Sequence, residues 1–394
     1  MGLTVGVVGG CGHVGLPLAI ALAPHHRVRI FDIDGKAVAR VRAGEMPFRD
    51  AGADEGLRDA LQSGLEVSEH PDVLRDCSIL VVVIGTPVDE HLNPSFTVFD
   101  RLLAQLYEVL RPGQTVVLRS TVYPGTSERV QNELRRRGLA VEVAFCPERV
   151  AEGIALEEIR KLPQIISGFT SVGLGAARAL FAPLGVELLE LTPLEAELTK
   201  LFNNVYRYIT FAVANQFYML AAEWNIDFHR ILHAMKYKYP RAAHMPAPGF
   251  AAGPCLFKDT MQMSAFNNNQ FFLGHAAMLV NEGLPQFVVN RMQRRWPDLK
   301  TKRIGLLGMA FKAESDDPRE SLSYKLKKIL TLVAGDVLTT DPYVADPDLL
   351  TEEDVLERSD LFVIGAPHRR YRELNYRSKP VVDVWNHLGE GSVI

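Results

Sequence analysis

A glycine-rich turn near the start of the chain, lying between an apolar run and an apolar helical pattern, constrains the fold most strongly. Residues 5–9 (VGVVG) are typical of a buried strand, and the turn Gly10–Gly15 (GCGHVG) follows directly. Residues 16–23 then have the pattern of an apolar helix. In a strand–turn–helix of this spacing, the first glycine permits a tight turn, the second lets a pyrophosphate approach the backbone, and the third lets helix and strand pack closely. The segment therefore predicts a dinucleotide-binding α/β domain.

The acidic residue that accompanies such a turn is also present. The apolar run at 27–31 ends at Asp32, about 20 residues past the central glycine, where a carboxylate binds the ribose hydroxyls. A carboxylate there repels a 2′-phosphate, so the sequence favours NAD over NADP. The phosphates are expected at the N-terminus of the following helix. The predicted NAD contacts in this segment are Gly10, Gly12, His13, Val14, Gly15 and Asp32.

Length and composition are those of an enzyme whose domains are large enough to bury hydrophobic cores. The 394 residues suffice for two or three domains. With 43 Lys and Arg against 47 Asp and Glu the chain is near neutral, so neither nucleic-acid nor membrane-surface binding is expected. No apolar stretch approaches the ~20 residues that span a bilayer, and we expect no signal peptide before the first strand. The four cysteines are scattered without CxxC spacing, which predicts a reducing cytoplasm and no metal site.

The order of apolar and helical patterns predicts the architecture. As far as residue 190, apolar runs at 79–84, 115–119 and 141–145 alternate with helical patterns, which indicates a mostly parallel, doubly wound sheet. Leu194–Trp224 then forms one long helical pattern without internal Gly or Pro, typical of a helix between domains or at a subunit interface. Helical sequence continues to about residue 295.

A second, smaller α/β pattern begins after residue 297. Its apolar runs lie at 303–308, 336–340, 361–364 and 381–384, but it has no complete GxGxxG, so we expect it to bind substrate and not a second cofactor. The prediction is an α/β protein with two Rossmann-like doubly wound domains joined by a long central helix and a helical dimerisation region. The predicted domains are residues 1–190, 191–297 and 298–394.

Cys255 indicates the chemistry. It lies in a glycine-bearing turn, Gly249–Asp259, and is followed by Lys258, whose cation stabilises a thiolate. A nicotinamide cofactor oxidises an alcohol without a thiol, whereas a nucleophilic thiol is needed when the resulting aldehyde is carried on to an acid. The combination predicts a dehydrogenase that oxidises one carbon twice.

These motifs together resemble the UDP-glucose/GDP-mannose dehydrogenase family, whose members oxidise the C6 hydroxyl of a nucleotide sugar to a carboxylate. The resemblance runs nearly end to end and is carried by residues 10–17, 85–87, 120–126, 146–153, 195–204, 249–259, 308–312, 316–321 and 341–343. The segments CPER and GPCLFKD resemble the UDP-N-acetylmannosamine dehydrogenase branch more than the UDP-glucose branch. The chain departs from the family pattern at His13, where an aromatic residue is usual, and at Ala251 and Ala252, which replace glycines.

The resemblance implies roles for the catalytic residues. Cys255 is the nucleophile, and Asp259 is the base, acting through water. Lys200 and Asn204, one helical turn apart, stabilise an alkoxide and then an oxyanion. Glu152 activates the hydrolytic water and Thr121 holds it. A helix-capping role is the competing interpretation for Asp259. Without the resemblance, Glu197, Lys200 and Asn204 would be interpreted as a solvated helix face.

The resemblance also implies further binding residues and partners. Further cofactor contacts are Thr86, Ser120, Thr121, Glu152, Lys258 and Arg319. Substrate contacts are Glu148, Arg149, Val150, Lys200, Asn204, Arg241, Phe250, Gly253, Phe257 and Lys312. Arg241 is expected to act across a dimer interface, so the partners are a UDP-sugar and a second copy of the chain. The C-terminal domain is expected to bind the nucleotide sugar.

Three alternatives remain at this point. The sugar nucleotide can be UDP-glucose or GDP-mannose instead of UDP-N-acetylmannosamine. A two-electron β-hydroxyacid-type dehydrogenase would use Lys200 and Asn204 but not Cys255. A non-catalytic sensor of NAD or sugar nucleotides would use neither set for chemistry.

Overall fold

The computed structural model describes residues 2–85, 97–250, 253 and 255–394. The chain divides into two compact units, residues 1–203 and residues 204–394. Among the described residues, no helix is both long enough and apolar enough to cross a membrane.

The first unit is built on a parallel six-stranded sheet. Its strand order is β3-β2-β1-β4-β5-β6, which places the reversal of order between β1 and β4. A separate parallel pair, β7-β8, completes its strands. In open sheets of this kind ligands bind at the carboxyl ends of the strands beside the reversal. The strands of this unit are β1 (Thr4–Val8), β2 (Arg27–Phe31), β3 (Glu66–Ser68), β4 (Ile79–Val82), β5 (Thr115–Leu118), β6 (Glu142–Phe145), β7 (Gln164–Ile166) and β8 (Leu188–Glu190).

Helices cover both faces of the six-stranded sheet. Because successive strand residues point to opposite faces, Ile79 and Val81 of β4 belong to one apolar cluster while Leu80 and Val82 belong to another. A sheet buried on both faces favours such continuous apolar runs. The helices of this unit are α1 (Gly15–Leu22), α2 (Gly35–Arg42), α3 (Ala53–Gln62), α4 (Thr97–Val109), α5 (Thr126–Arg136), α6 (Ala155–Ile159) and α7 (Ser171–Phe181).

A single helix of 31 residues, α8 (Pro193–Glu223), contains the division between the two units. Its only proline is the first residue, where the missing N–H costs nothing, and its interior has no glycine to break it. The predicted helix, Leu194–Trp224, agrees with it to within one residue at each end.

The second unit combines helices with a parallel four-stranded sheet of order β10-β9-β11-β12. Its apolar core joins residues of that sheet to residues of α9, α11 and α12 and to the C-terminal half of α8. The elements are α9 (Phe228–Lys236), α10 (Leu256–Phe266), α11 (Phe272–Arg295), β9 (Arg303–Leu307), α12 (Leu322–Val333), β10 (Asp336–Thr340), α13 (Glu352–Arg358), β11 (Leu361–Ile364) and β12 (Val381–Val382).

The predicted fold class is confirmed, and the differences lie in short elements. The run at 79–84 pairs only as far as Val82, and the run at 381–384 only as far as Val382. Three three-residue strands, β3, β7 and β8, were not predicted, because a period of two cannot be recognised in so few residues.

Candidate active site

The glycine turn after β1 has its left-handed residue one position earlier than expected. Gly9 has a φ of +74°, whereas Gly10, expected to permit the tight turn, does not have a positive φ. Gly10 is required for another reason, because a Cβ there would lie 2.8 Å from Cγ2 of Ile30. A Cβ on Gly15 would lie 2.6 Å from Cα of Gly10, so the close packing of helix and strand predicted for Gly15 is present.

The environment of Gly12 and Asp32 fits a dinucleotide. A Cβ on Gly12 would meet only the Gly9 carbonyl oxygen, at 3.9 Å, among the described residues, so the packing of the protein does not itself require a glycine there. Close approach of a pyrophosphate to the backbone does require one. Asp32 accepts hydrogen bonds from the backbone N–H groups of Cys11, at 2.9 Å, and Asp34, at 3.0 Å. Its carboxylate is thereby held at the carboxyl end of β2, where a ribose is expected.

A buried ion pair that the sequence did not reveal lies at the ends of β5 and β6. Arg119 is fully buried, and its Nε and Nη2 atoms both donate to Oε2 of Glu148, the first at 2.9 Å. Nη1 donates to the Cys146 carbonyl at 3.2 Å, and Nη2 also donates to Oε1 of Gln164 at 3.0 Å. Glu148, predicted to bind substrate, is itself buried and bound within the protein.

The segment that carries Glu152 follows β6 and is anchored by carboxylates. Oε1 of Glu148 accepts from the backbone N–H groups of Arg149, at 2.5 Å, and Val150, at 2.9 Å. Glu158 accepts from the N–H of Ala151 at 2.6 Å. Further along, Asp50 caps α6 by accepting from the N–H groups of residues 155 and 156. Glu152 is half-buried between these anchors.

Glu197, one turn before Lys200 on α8, is buried and so does not belong to a solvated helix face. Its carboxylate accepts from the backbone N–H of Gly125, at 2.6 Å, and from the N–H and hydroxyl of Ser127, at 2.9 and 2.6 Å. It therefore caps the start of α5, where helix N–H groups lack partners. Burial raises the pKa of Glu197, although these hydrogen bonds oppose the shift. Lys200 is half-buried.

Asn204 and Asp259 meet inside the second unit. Nδ2 of Asn204 donates to Oδ2 of Asp259 at 2.6 Å, and the Asp259 side chain is fully buried. Nζ of Lys258 lies 3.5 Å from Oδ1 of the same carboxylate. The Asp259 N–H donates to the Cys255 carbonyl at 2.9 Å, which places the acid one helical turn after the thiol. Asp259 lies inside the first turn of α10, so it is not the cap residue of that helix.

Cys255 differs from the other cysteines in exposure. It is the cap residue of α10 and is exposed, at a helix end whose partial positive charge favours a thiolate. The other three thiols are buried, and burial raises the pKa of Cys11 and Cys146 to about 12 and that of Cys77 to about 11. Of the four thiols, that of Cys255 is therefore the one that a substrate in solvent can reach.

The turn before Cys255 depends on a glycine and on an aromatic core. Gly253 has a φ of +106°, and a Cβ there would lie 2.6 Å from the ring of Phe311. The Phe250 ring, predicted to contact substrate, is only 2% exposed and packs edge-on against Trp385 at a centroid distance of 6.1 Å. Phe257 is partly buried in a smaller cluster.

Three cationic side chains predicted to bind cofactor or substrate, Arg319, Lys312 and Arg241, lie in different settings of the second unit. Arg319 binds Asp317 through Nε, at 2.9 Å, and Nη2, at 2.6 Å, so its guanidinium already holds a carboxylate. Nζ of Lys312 lies 5.7 Å from the ring centroid of Phe311. Arg241 is exposed and donates to the Tyr239 hydroxyl at 2.8 Å.

The remaining predicted residues of the first unit lie near the strand ends, with one exception. Ser120 and Thr121 lie two and three residues after the end of β5 and are partly buried. The His13 ring packs against Phe48 at a centroid distance of 4.0 Å. Val14, which precedes α1, is partly buried. Thr86 lies outside the described residues.

The second unit repeats the glycine turn of the first unit, but the carboxylate that corresponds to Asp32 is bound within the protein. Gly308, after β9, has a φ of +92°, and Asp341 follows β10 as Asp32 follows β2. The Asp341 carboxylate accepts from four backbone N–H groups, those of residues 309, 310, 343 and 344, and from the buried His368. It is thus bound within the protein, which supports the expectation that this sheet is not a second NAD domain.

A Rossmann sheet with this glycine turn and acid, continued by a helical segment that presents an exposed thiol, defines an NAD-dependent dehydrogenase. Residues 3–184 match the NAD binding domain of the UDP-glucose/GDP-mannose dehydrogenase family, residues 194–282 its central domain and residues 305–390 its UDP binding domain. The chain belongs to this family of nucleotide-sugar dehydrogenases, as the sequence motifs predicted.

Similarity to individual members extends over the whole chain. It is 28% identical over 383 residues to the UDP-N-acetyl-D-mannosamine dehydrogenase of Pyrococcus horikoshii, covering 94% of this chain and 90% of that protein. It is 28% identical over 409 residues to the NDP-N-acetyl-D-galactosaminuronic acid dehydrogenase of Ralstonia nicotianae, covering 96% and 95%. The solved UDP-glucose dehydrogenase of Pyrobaculum islandicum superposes with a TM-score of 0.92 at 26% identity, covering 100% of this chain and 97% of that one.

Proposed function

We propose that this protein oxidises the C6 hydroxyl of a UDP-sugar to a carboxylate in two NAD-dependent steps, with UDP-N-acetylmannosamine as the favoured substrate. One observation carries the proposal. The exposed thiol of Cys255 lies at the N-terminus of α10. The buried carboxylate of Asp259, which accepts a hydrogen bond from the Asn204 amide, lies one helical turn later. A two-electron dehydrogenase has no use for that thiol.

Cofactor binding is assigned to the first unit. The open space at Gly12 and the fixed carboxylate of Asp32 fit the pyrophosphate and ribose of NAD. Ser120 and Thr121, at the end of β5, are assigned to the same side. When bound, NAD accepts one hydride in each of the two oxidations.

Asp259 and its neighbours on α8 are assigned to the first oxidation. The Asp259 carboxylate takes the hydroxyl proton through a water, and the Lys200 ammonium stabilises the resulting alkoxide. The Asn204 amide has two N–H donors, and only one is used on Asp259. The second is directed in this proposal to the substrate oxygen, so that Asn204 orients the base and stabilises the alkoxide together.

Cys255 carries the second oxidation. Its thiolate forms a C–S bond to C6 of the aldehyde, and the carbonyl oxygen takes a proton to give a thiohemiacetal. Loss of hydride and of the hydroxyl proton converts this to a thioester. Water, deprotonated with the help of Glu152, then adds to the thioester carbon, and cleavage of the C–S bond gives the carboxylate and returns the thiol.

The identity of the sugar rests on relatives. UDP-N-acetylmannosamine is favoured because the CPER and GPCLFKD segments resemble that branch and because the relative from Pyrococcus horikoshii carries that name. UDP-glucose is the second candidate, since the solved structure from Pyrobaculum islandicum is a UDP-glucose dehydrogenase. The match to a UDP binding domain supports UDP over GDP in both. The buried cysteines suit the reducing cytoplasm as the place of action.

A homodimer through the second unit is part of the proposal. An apolar groove of about 300 Å³ runs between α8 and α9, and large side chains beside it are exposed, from 39% at Ile231 to 79% at Trp224. Apolar patches of this kind mark protein contacts. Light scattering is expected to give a dimer mass for the wild type and a monomer mass for Trp224→Glu.

The deciding experiment measures NADH and product mass with a panel of UDP- and GDP-sugars. The proposal expects two NADH per sugar and a uronic acid, with fastest turnover on UDP-N-acetylmannosamine. Cys255→Ser is expected to lower formation of the acid by about 10³-fold or more, since the covalent route is lost. Cys77→Ser, which changes a buried thiol, is the matched control and is expected to retain the wild-type product. One NADH per sugar and a stable carbonyl product would contradict the proposal.

A further inference from the structure

We propose that Arg119 is a positioning residue, whose guanidinium fixes Glu148 and through it the backbone that carries Glu152. This inference rests on the proposed function for the role of Glu152. It assigns to the buried charge pair a part in the hydrolytic half of the reaction.

The first step of the argument is the complete burial of the guanidinium. Arg119 follows β5 directly and donates to Glu148, to the Cys146 carbonyl and to Gln164 of β7. Its Cζ also lies 5.0 Å from the ring centroid of Phe181. A buried charge is costly unless it is paired and hydrogen-bonded, so a pair of this completeness fixes both partners in one geometry.

The second step is the use of the other carboxylate oxygen. Oε2 of Glu148 receives the guanidinium, which leaves Oε1 to accept from the backbone N–H groups of Arg149 and Val150. Rotation of that carboxylate would break both hydrogen bonds. The backbone immediately before Glu152 is therefore held by a charge that Arg119 stabilises.

The third step is that the neighbouring anchors share this design. Glu158 binds the N–H of Ala151, and Asp50 binds the N–H groups at the start of α6. Glu152 thus lies in a segment positioned by carboxylates on both sides, and one of these, Glu148, is paired with a fully buried cation. A lysine at 119 would keep the charge but would lose the planar fork that contacts three acceptors at once.

The test compares Arg119→Lys, Arg119→Met and Glu148→Gln in the full-length chain. Arg137→Lys, which changes an exposed arginine paired with Glu133, is the control. Displacing a catalytic group by about 1 Å costs about 10²-fold, so we expect a kcat loss of about that size for Arg119→Met and a smaller loss for Arg119→Lys. KM is expected to stay near the wild-type value. Because hydrolysis is the slowed step, intact mass during turnover is expected to show the acyl-enzyme on Cys255.

A second readout does not depend on activity. Amide hydrogen exchange of residues 149–151 is expected to accelerate in all three variants and to stay unchanged in Arg137→Lys. If Arg119→Met does not fold, Arg119→Lys and the neutral double variant Arg119→Met/Glu148→Gln provide the same readouts. Wild-type exchange at 149–151 in a folded Arg119→Lys, or a wild-type kcat without acyl-enzyme, would overturn the inference. Absence of oxidation by the wild type would instead refute the proposed function and leave the exchange result interpretable.

Discussion

Replacing Gly253 by alanine tests whether the turn before the thiol is set by backbone geometry. A non-glycine residue at positive φ costs roughly 1–2 kcal/mol of strain. The new Cβ would also lie 2.6 Å from the Phe311 ring, and forcing a methyl group into packed space costs roughly 1–3 kcal/mol. Because the Phe311 side chain can shift, we expect Gly253→Ala to lower the free energy of unfolding by about 3 kcal/mol, which is less than the largest sum of the two costs.

The consequences are measurable in stability and in rate. For a unit of this size each kcal/mol lowers Tm by roughly 2–4 °C, so Gly253→Ala is expected to lower the transition of the second unit by about 6–12 °C. Gly253 lies two residues before Cys255, so displacement of the turn moves the thiol, and kcat is expected to fall by about 10²-fold. Differential scanning calorimetry and steady-state NADH formation measure the two effects.

Gly283→Ala is the matched control. Gly283 lies within α11, and among the described residues no atom beyond its own stretch of helix backbone lies within 4 Å of an added Cβ. Alanine there is expected to stabilise the helix by up to about 1 kcal/mol and to leave kcat unchanged. Equal Tm and kcat for Gly253→Ala and the wild type would refute the argument from φ and ring contact.

Three further variants test the cofactor site, the base and the second unit. Asp32→Ala is expected to weaken NAD binding about tenfold and to reduce the preference for NAD over NADP, because the carboxylate that binds the ribose hydroxyls is lost. Titration with both cofactors measures this. Asn204→Ala removes the amide that donates to the buried Asp259 carboxylate at 2.6 Å, so it is expected to lower the free energy of unfolding by about 1–3 kcal/mol and to reduce kcat. Denaturant unfolding and the NADH assay measure the two effects. For Asp341, burial raises the pKa, but hydrogen bonding and attraction by His368 and backbone N–H donors outweigh it, so the net pKa is lowered. The Asp341 carboxylate therefore stabilises the folded protein fully above the pKa of Asp in the unfolded chain, and this stabilisation is lost as pH falls below about 4. Asp341→Asn is expected to flatten the acid side of the Tm–pH curve.

Features defined by neighbours in sequence were predictable. The strand, glycine turn and helix from residue 4 to residue 22 depend on contacts within one supersecondary unit, so their pattern is visible locally. The long helix was predicted to within one residue at each end because nothing in its interior interrupts it. The exposed thiol was singled out by the motif around it. Even here the left-handed residue was misplaced by one, since consecutive glycines at 9 and 10 satisfy the same pattern.

Features defined by distant partners were not predictable. The sequence pattern around Glu197 is that of a solvated helix face, but Glu197 caps α5, some 70 positions earlier in the chain. Phe250 was expected at the substrate, but Trp385, far along the chain, covers its ring. Arg119 carried no signal at all, because its role depends on Glu148 and Gln164, which the sheet brings beside it.

The amino-acid sequence by itself determined the family, the fold class and the glycine turn of the NAD domain, because each of these depends on short segments whose residues interact locally. Tertiary structure alone decided which polar groups are buried and what they bind. Parallel strands bring the ends of distant segments together, and a charge such as that of Arg119 is tolerated only where those ends supply its acceptors. The positions of catalytic groups therefore depend on packing that no local pattern encodes.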